Sequence, residues 1–342
     1  MSQSKLQNIA STVSKQYETA IASGDAFFYE SQVSVAKTEG VENVVPWHIR
    51  NVPALLKKPK ALSESQDTER PQQNKVDVFA PPYVPNLLVQ ELDDFALLLN
   101  KYCVLPRHFL LVTKDFVKQE LPPAPNMLAQ AYQILTTYTP SESGNDMLGF
   151  FNCGKDSGAS QPHCHFQFVE LHPAAPAKPA VPIEVLLDQI EKDGKEMEHV
   201  HVLPVPWRHF VVLLNPPDDA VQLENYLGTR FIQLLESMFS TAREKNDLEN
   251  GLPSRPSFNV LLTRRSMHVI PRRTEGFSLI DAGWGVYTDG AANAVPYSGT
   301  LSVNALGYAG LLLTRHTDEL EALCTDNSER IFQVLAHTGL EI

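Results

Sequence analysis

Apolar residues at Leu6, Ile9, Ala10, Val13, Tyr17, Ala20 and Ile21 recur at three- and four-residue intervals and stop at Gly24. That spacing predicts an amphipathic helix closed by a glycine. Two apolar runs within residues 95–113, parted by Leu105-Pro106-Arg107, predict antiparallel strands joined by a turn. Residues 127–138 have helical spacing, and 147–152 with 163–171 predict two further strands around a loop rich in Gly, Ser and Asp. The pattern then repeats in kind, with strands near 200–203 and 209–214, a helix over 221–242, and a strand pair at 257–263 and 267–271. The last ~40 residues carry helical periodicity. Between these lie a polar segment at 57–75, an Ala- and Pro-rich connector at 172–182, an acidic helical segment at 183–196 and a Gly- and Ala-rich loop at 283–300. Strands in runs with helices between them, without a G-x-G-x-x-G after a first strand, favour a mixed, mainly antiparallel α+β fold over a doubly wound one.

Composition narrows the function. The 342 residues hold 28 Lys and Arg against 40 Asp and Glu, a net charge of −12, so a nucleic-acid duplex is a poor partner. No apolar run approaches the roughly 20 residues that span a bilayer, and the N-terminus lacks a basic region followed by an apolar core. A cytoplasmic protein is expected, with nuclear residence also compatible. Cys103, Cys153, Cys164 and Cys324 form no C-x-x-C pair, which fits reduced thiols.

Chemistry concentrates in residues 158–168, G-A-S-Q-P-H-C-H-F-Q-F. On a strand, His163, His165 and Gln167 share one face and Cys164, Phe166 and Phe168 the other. Two imidazoles and an amide then stand beside a glycine loop whose N–H groups at Gly158, Ala159 and Ser160 can point at an anion. A neutral imidazole can attack phosphorus and form a phosphoramidate, while fixed donors hold the equatorial oxygens. Two histidines at i and i+2 could also ligate a metal, yet no H-E-x-x-H or C-x-x-C supplies further ligands, and no protein metal site is expected. The pair in Glu198-His199-Val200-His201 has neither the loop before it nor the amide after it. Cys164 faces away from both histidines and is read as packing.

The segment G-A-S-Q-P-H-C-H-F-Q resembles the His-x-His-x-Gln active-site strand of the histidine-triad superfamily, and more narrowly that of the diadenosine tetraphosphate phosphorylases, or ATP adenylyltransferases. LLKKP at 55–59, LNKYCVLPRHFLLVT at 99–113, FFNCG at 150–154, FNVLLTRRSMHVIPR at 258–272 and SVNALGYAGLL at 302–312 resemble that family's segments in the family's order. The resemblance implies a histidine-triad-like sheet with flanking helices, as one enlarged domain or two related halves. Residues 1–200 would carry the His-x-His-x-Gln strand, and 201–342 would complete the nucleotide site. It implies phosphorolysis of diadenosine tetraphosphate to ATP and ADP through an adenylyl group on His165, with His163 orienting the nucleophile and Gln167 holding the phosphate. Lys58, Asn100, Lys101, Asn152 and the loop Gly158, Ala159, Ser160 and Gln161 are the implied substrate contacts, joined by Asn304, Ala305, Leu306, Leu311 and Arg315. The last two stand where relatives often have Met and Lys.

A −12 protein acting on a polyphosphate must gather positive charge locally. Lys58, Lys101, Lys155, Arg264, Arg265 and Arg315 are the candidates, with Mg2+ expected to arrive on the substrate. Inorganic phosphate, ATP and ADP are the remaining small-molecule partners, and a monomer is expected. Two competing readings are hexose-1-phosphate uridylyltransferase-like chemistry on UDP-sugars and non-catalytic binding of dinucleoside polyphosphates.

Overall fold

The computed structural model describes residues 6–36, 44–54, 77–140, 145–173, 179–192, 199–244, 256–284, 299–325 and 329–342. The polar segment at 57–75 with Lys58, and most of the loop at 283–300, lie outside them. Helix α1 (Ile9–Ser23) buries Ile9, Val13 and Ala20, and Gly24 ends it in the left-handed region at φ 78°. Only glycine adopts that conformation without strain.

The framework is a nine-stranded sheet. Its N-terminal strands are β1 (Leu88–Glu91), β2 (Phe95–Leu99), β3 (Phe109–Thr113), β4 (Asp146–Cys153) and β5 (His165–Leu171). Its C-terminal strands are β6 (His201–Val202), β7 (Phe210–Leu213), β8 (Ser257–Leu262) and β9 (Ser266–Arg272). The spatial order is β6-β7-β9-β8-β4-β5-β3-β2-β1, every pairing antiparallel. Helix α2 (Pro125–Thr137) falls between β3 and β4, and α3 (Ala220–Glu244) between β7 and β8. With the edge strand β1 set aside, each half is therefore strand, strand, helix, strand, strand, with its last strand slotted between the second and third.

Register makes the repeat quantitative. At the centre Phe150 of β4 faces Leu261 of β8. Outward from Phe150 the rungs run to Gln167 and Leu110, and outward from Leu261 to His268 and Val211. A two-fold axis normal to the sheet thus matches Gln167 with His268. Two residues earlier on each strand it matches His165 with Ser266 and His108 with His209.

Strand alternation splits the core into two layers. Cys164, Phe166 and Phe168 pack with α1, α2, α3 and the facing residues Phe210, Val260 and Met267. On the opposite face Phe150, Val169, Leu261 and Ile270 pack under Ile183, Val185, Trp207 and the C-terminal helices. One element departs from the sequence reading. Leu311–Thr314, inside the stretch expected to be helical, is a strand parallel to Trp47–Asn51. A four-residue apolar run carries no period of its own, and its partner lies over 250 residues away in sequence, so local spacing could not reveal it. The acidic segment at 183–196 opens as a tight turn, Pro182–Leu186, before one short helix, Leu187–Lys192.

Candidate active site

Alternation along β5 puts His165 and Gln167 on the face opposite the aromatic layer, and His163, two residues before the strand, turns its ring to the same side, where Phe79 packs near both imidazoles. His163 and His165 are buried, and Gln167 is the only residue of β5 left partly exposed. His165 Nδ1 lies 2.8 Å from the carbonyl oxygen of His163. A carbonyl only accepts, so the proton is on Nδ1 and the Nε2 lone pair is free. Burial, opposed by that hydrogen bond, lowers the pKa of His165 to about 4, so the ring is neutral at physiological pH. His163 is held from both sides, with Nδ1 2.8 Å from Asp77 Oδ2 and Nε2 2.7 Å from the Thr113 carbonyl. The ring of Phe79 packs 5.1 Å from that of His165.

Three features brace this strand from behind. The β4·β5 ladder ends at Phe150 and Gln167. There Gln119 takes over, its Oε1 accepting from the His165 N–H at 2.7 Å and its Nε2 donating to the Asn152 carbonyl at 2.7 Å. Asn152 Oδ1 accepts from Asn259 Nδ2 at 2.8 Å and from the Ala305 N–H at 3.0 Å. Its Nδ2 donates to none of the described residues. Buried Arg272 donates to Asn259 Oδ1 at 2.7 Å and to the carbonyls of Ser157, Thr338, Thr274 and Val303, with its guanidinium 5.0 Å from the Tyr308 ring centre. A cation held by neutral oxygens keeps its field, and it ties the Lys155–Ser157 turn to the C-terminal helix.

The loop after that turn begins at Gly158. Gly158 has φ +83°, and a Cβ there would stand 2.7 Å from Asn304 Cβ. Among the described residues, the N–H groups of Ala159, Ser160 and Gln161 make no hydrogen bond. Asn304 Oδ1 caps Leu306 N at 3.0 Å, so the amides of Ala305 and Leu306, both buried, are satisfied within the protein. Beside them Asn304, Gly307, Leu311 and Arg315 line a hollow of about 110 Å³. The structure thus gathers Asn304, Leu311 and Arg315 around one cavity, and of these Asn304 also touches Gly158.

Other expected contacts look elsewhere. Asn100 turns inward, its Nδ2 2.9 Å from His108 Nδ1, while Lys101 is exposed with Nζ 5.8 Å from the Tyr102 ring. Arg264 is bound to the carbonyls of Leu135 and Tyr138 and lies 3.3 Å from Asp146; Arg265 pairs with Asp188 and Glu191. Both sit at the β8–β9 turn with their charge neutralised locally, which corrects their assignment to a polyphosphate site. Lys155 is exposed beside the loop. Among the described residues no group of three or more His, Cys, Asp or Glu could hold a metal ion, and no helix is long and apolar enough to cross a membrane.

The sequence reading missed His108, Asp77, Gln119 and Arg272. His108 was accessible: continuing the alternation back from Val112 and Leu110 puts it on the His165 face. Asp77, Gln119 and Arg272 act across gaps of 86, 46 and 115 residues and have no local motif.

Comparison with known proteins agrees with this geometry. Residues 2–189 match the Ap4A phosphorylase N-terminal domain, and residues 203–341 the ATP adenylyltransferase C-terminal domain. Protein APA1 of Saccharomyces cerevisiae is 26% identical over 345 residues, spanning 97% of this chain and 94% of its own. Diadenosine 5',5'''-P1,P4-tetraphosphate phosphorylase 2 of the same yeast is 28% identical over 309 residues, 85% of this chain and 82% of its own. The crystal structure of yeast Ap4A phosphorylase Apa2 matches with a TM-score of 0.72 at 25% identity, over 98% of this chain and 95% of that one. That yeast protein is also solved with AMP and with Ap4A. The motif strand, the braced loop and both domain matches lead to one conclusion: this chain belongs to the Ap4A phosphorylase, or ATP adenylyltransferase, family of nucleotidyltransferases.

Proposed function

We propose that the protein catalyses phosphorolysis of diadenosine tetraphosphate to ATP and ADP by way of an adenylyl group on His165. The observation that carries this reading is the His165 Nδ1 hydrogen bond to the His163 carbonyl, 2.8 Å, which leaves a neutral imidazole with Nε2 as its nucleophilic atom. In the first step the Nε2 lone pair forms a bond to an α-phosphorus, the bond from that phosphorus to the bridging oxygen breaks, and ATP departs. In the second step an oxygen of inorganic phosphate attacks the same phosphorus, the P–N bond breaks, its electron pair returns to Nε2, and ADP leaves.

Stabilisation of the five-coordinate phosphorus falls to donors already in place. Gln167 and Asn152 offer amide hydrogens, and the loop from Gly158 to Gln161 offers backbone N–H groups. Arg315 would supply charge, and the family resemblance adds Lys58 and Lys101 to it. The hollow lined by Asn304, Leu311 and Arg315 is the proposed seat of an adenosine. Magnesium would enter with the polyphosphate and screen its charge. The ligands held by the yeast relative, AMP and Ap4A, support this substrate class.

The test is incubation of the purified protein with diadenosine tetraphosphate, with and without phosphate, beside a His165→Ala variant. Formation of ATP and ADP only with phosphate, and its loss in the variant, is the expected result. Phosphate-independent release of AMP would make the protein a hydrolase. Turnover of UDP-sugars instead would place it with the hexose-1-phosphate uridylyltransferases.

A further inference from the structure

His108 lies at the edge of the site, 59 residues from Gln167 in sequence, with its Nε2 3.1 Å from Gln167 Oε1. A glutamine amide has two ends of nearly equal size, an acceptor and a donor, and only the donor end favours a phosphate. Something must decide which end faces the substrate. The backbone N–H of Tyr102, which can only donate, points at Asn100 Oδ1 at 3.3 Å. That leaves Asn100 Nδ2 to donate to His108 Nδ1 at 2.9 Å. With Nδ1 accepting, the proton of a neutral ring is on Nε2, which donates to Gln167 Oε1. Gln167 Nε2 is then the end turned outward. Each link inherits its polarity from the one before, and the first is fixed by the main chain.

We infer that His108 is a positioning residue that fixes which end of the Gln167 amide faces the substrate phosphate. This rests on the proposed role of Gln167 as a phosphate ligand. The second half of the sheet supports the geometry independently. At the matching position His209 reaches across to His268 at 2.9 Å, and its Nδ1 is 3.4 Å from Trp207 Nε1, again a group that only donates. The same slot on the neighbouring strand therefore holds a histidine that hands a donor to the next strand in both halves. In the first half its target is open to a ligand.

A double-mutant cycle tests the inference. His108→Phe is expected to lower kcat for phosphorolysis by about 10- to 100-fold with KM changed less than about threefold, since a transition-state donor is lost rather than a binding pocket. His108→Gln, whose Nε2 can replace the ring nitrogen, is expected to recover most of that loss. In a Gln167→Leu background, His108→Phe should cost less than about twofold further. Multiplicative losses in the double variant, or failure of Gln to rescue at unchanged thermal stability, would overturn the relay. Should His108→Phe not fold, nitrogen-15 spectra of histidine-labelled wild-type protein decide the matter. Protonated Nε2 with a bare Nδ1 on His108 is required, and the opposite tautomer refutes the inference. A wild type inactive on diadenosine tetraphosphate would sink the proposed function while leaving the tautomer measurement to judge the relay.

Discussion

His165 and Gln167 on β5 have Ser266 and His268 as their counterparts on β9, and His108 on β3 has His209 on β7. In the C-terminal half the hydrogen bonds run from His209 to His268, from His268 Nε2 to Ser266 Oγ at 2.8 Å, and from Ser266 to Glu184 Oε1 at 2.8 Å. Thr263 donates to the same carboxylate at 2.6 Å. The chain of donors ends on a buried acid carried by the turn Pro182–Leu186, which lies over that half of the sheet. In the N-terminal half the equivalent chain ends at Gln167 Nε2, and the covering segment of Asp77 and Phe79 leaves that amide partly exposed. One frame thus serves two ends: in one half the polar chain is closed on a buried carboxyl group, and in the other it is left open at the amide proposed to meet the phosphate.

The sharpest way to break this comparison is to give the N-terminal half the residue of the other. His165→Ser should lower turnover of diadenosine tetraphosphate by at least about 10³-fold, because a serine here has no base beside it. Product analysis under single-turnover conditions checks this. Turnover within tenfold of wild type would show that His165 is not the nucleophile.

Titration separates the halves next. Burial lowers His108 and His165 to about 4, His268 to about 3, and His209 well below 6.5. For each of these the unfolded chain takes up a proton first as pH falls below 6.5, the ordinary value. Stability is therefore fully present above 6.5 and declines as pH falls from there towards the folded values, at up to about 1.4 kcal/mol per pH unit for each histidine. Glu184 has the opposite sign: burial raises its pKa, so its contribution is present below the ordinary carboxyl value of 4.5 and is lost as pH rises through the folded one. Denaturant unfolding at pH 7 and pH 5 should show the loss. Over the same interval kcat should stay level, since His165 remains neutral until about 4. An acid limb in kcat near 6.5 would contradict the burial of the nucleophile.

Much of this frame is legible in the sequence because alternation and helical spacing are local. Both hairpins, α1, α2 and α3 follow from it, and so does the division of β5 into a histidine face and an aromatic face. The motif points to the proposed nucleophile for the same reason, since His163, His165 and Gln167 lie within five residues. What stayed hidden depends on pairing between distant segments. Nothing near Arg272 reveals that it serves the carbonyls of Ser157, Val303 and Thr338 and the side-chain oxygen of Asn259, or near Glu184 that it caps a serine on β9. Arg264 and Arg265 read as phosphate ligands because sequence shows charge but not the Asp146, Asp188 and Glu191 that neutralise it.

The closed chain can be opened. Glu184→Leu removes the acceptor of two buried hydroxyls, Thr263 and Ser266, and should cost about 1–3 kcal/mol of stability. Glu184→Gln keeps an acceptor and should cost less. The kcat of the folded fraction should stay within about twofold for both, because none of these groups faces the substrate. A large fall in kcat at unchanged stability would mean that the C-terminal half takes part in the chemistry.

The smallest effect is expected at the counterpart of the proposed nucleophile. Ser266→Ala deletes a hydroxyl that accepts from His268 and donates to Glu184, leaving one buried N–H and half of a carboxylate's partners unmet. The cost should be about 1 kcal/mol, less than for Glu184→Leu because Thr263 still donates to the acid. Activity should be indistinguishable from wild type. Placed beside His165→Ser, this substitution tests the asymmetry at a single pair of positions related by the two-fold axis. The register is equivalent on the two strands, so the difference in outcome must come from the residue at each position and what covers it. If Ser266→Ala impaired kcat as well, the halves would be coupled through the β4·β8 seam, where Asn259 and Asn152 are hydrogen-bonded, rather than being two independent uses of one scaffold.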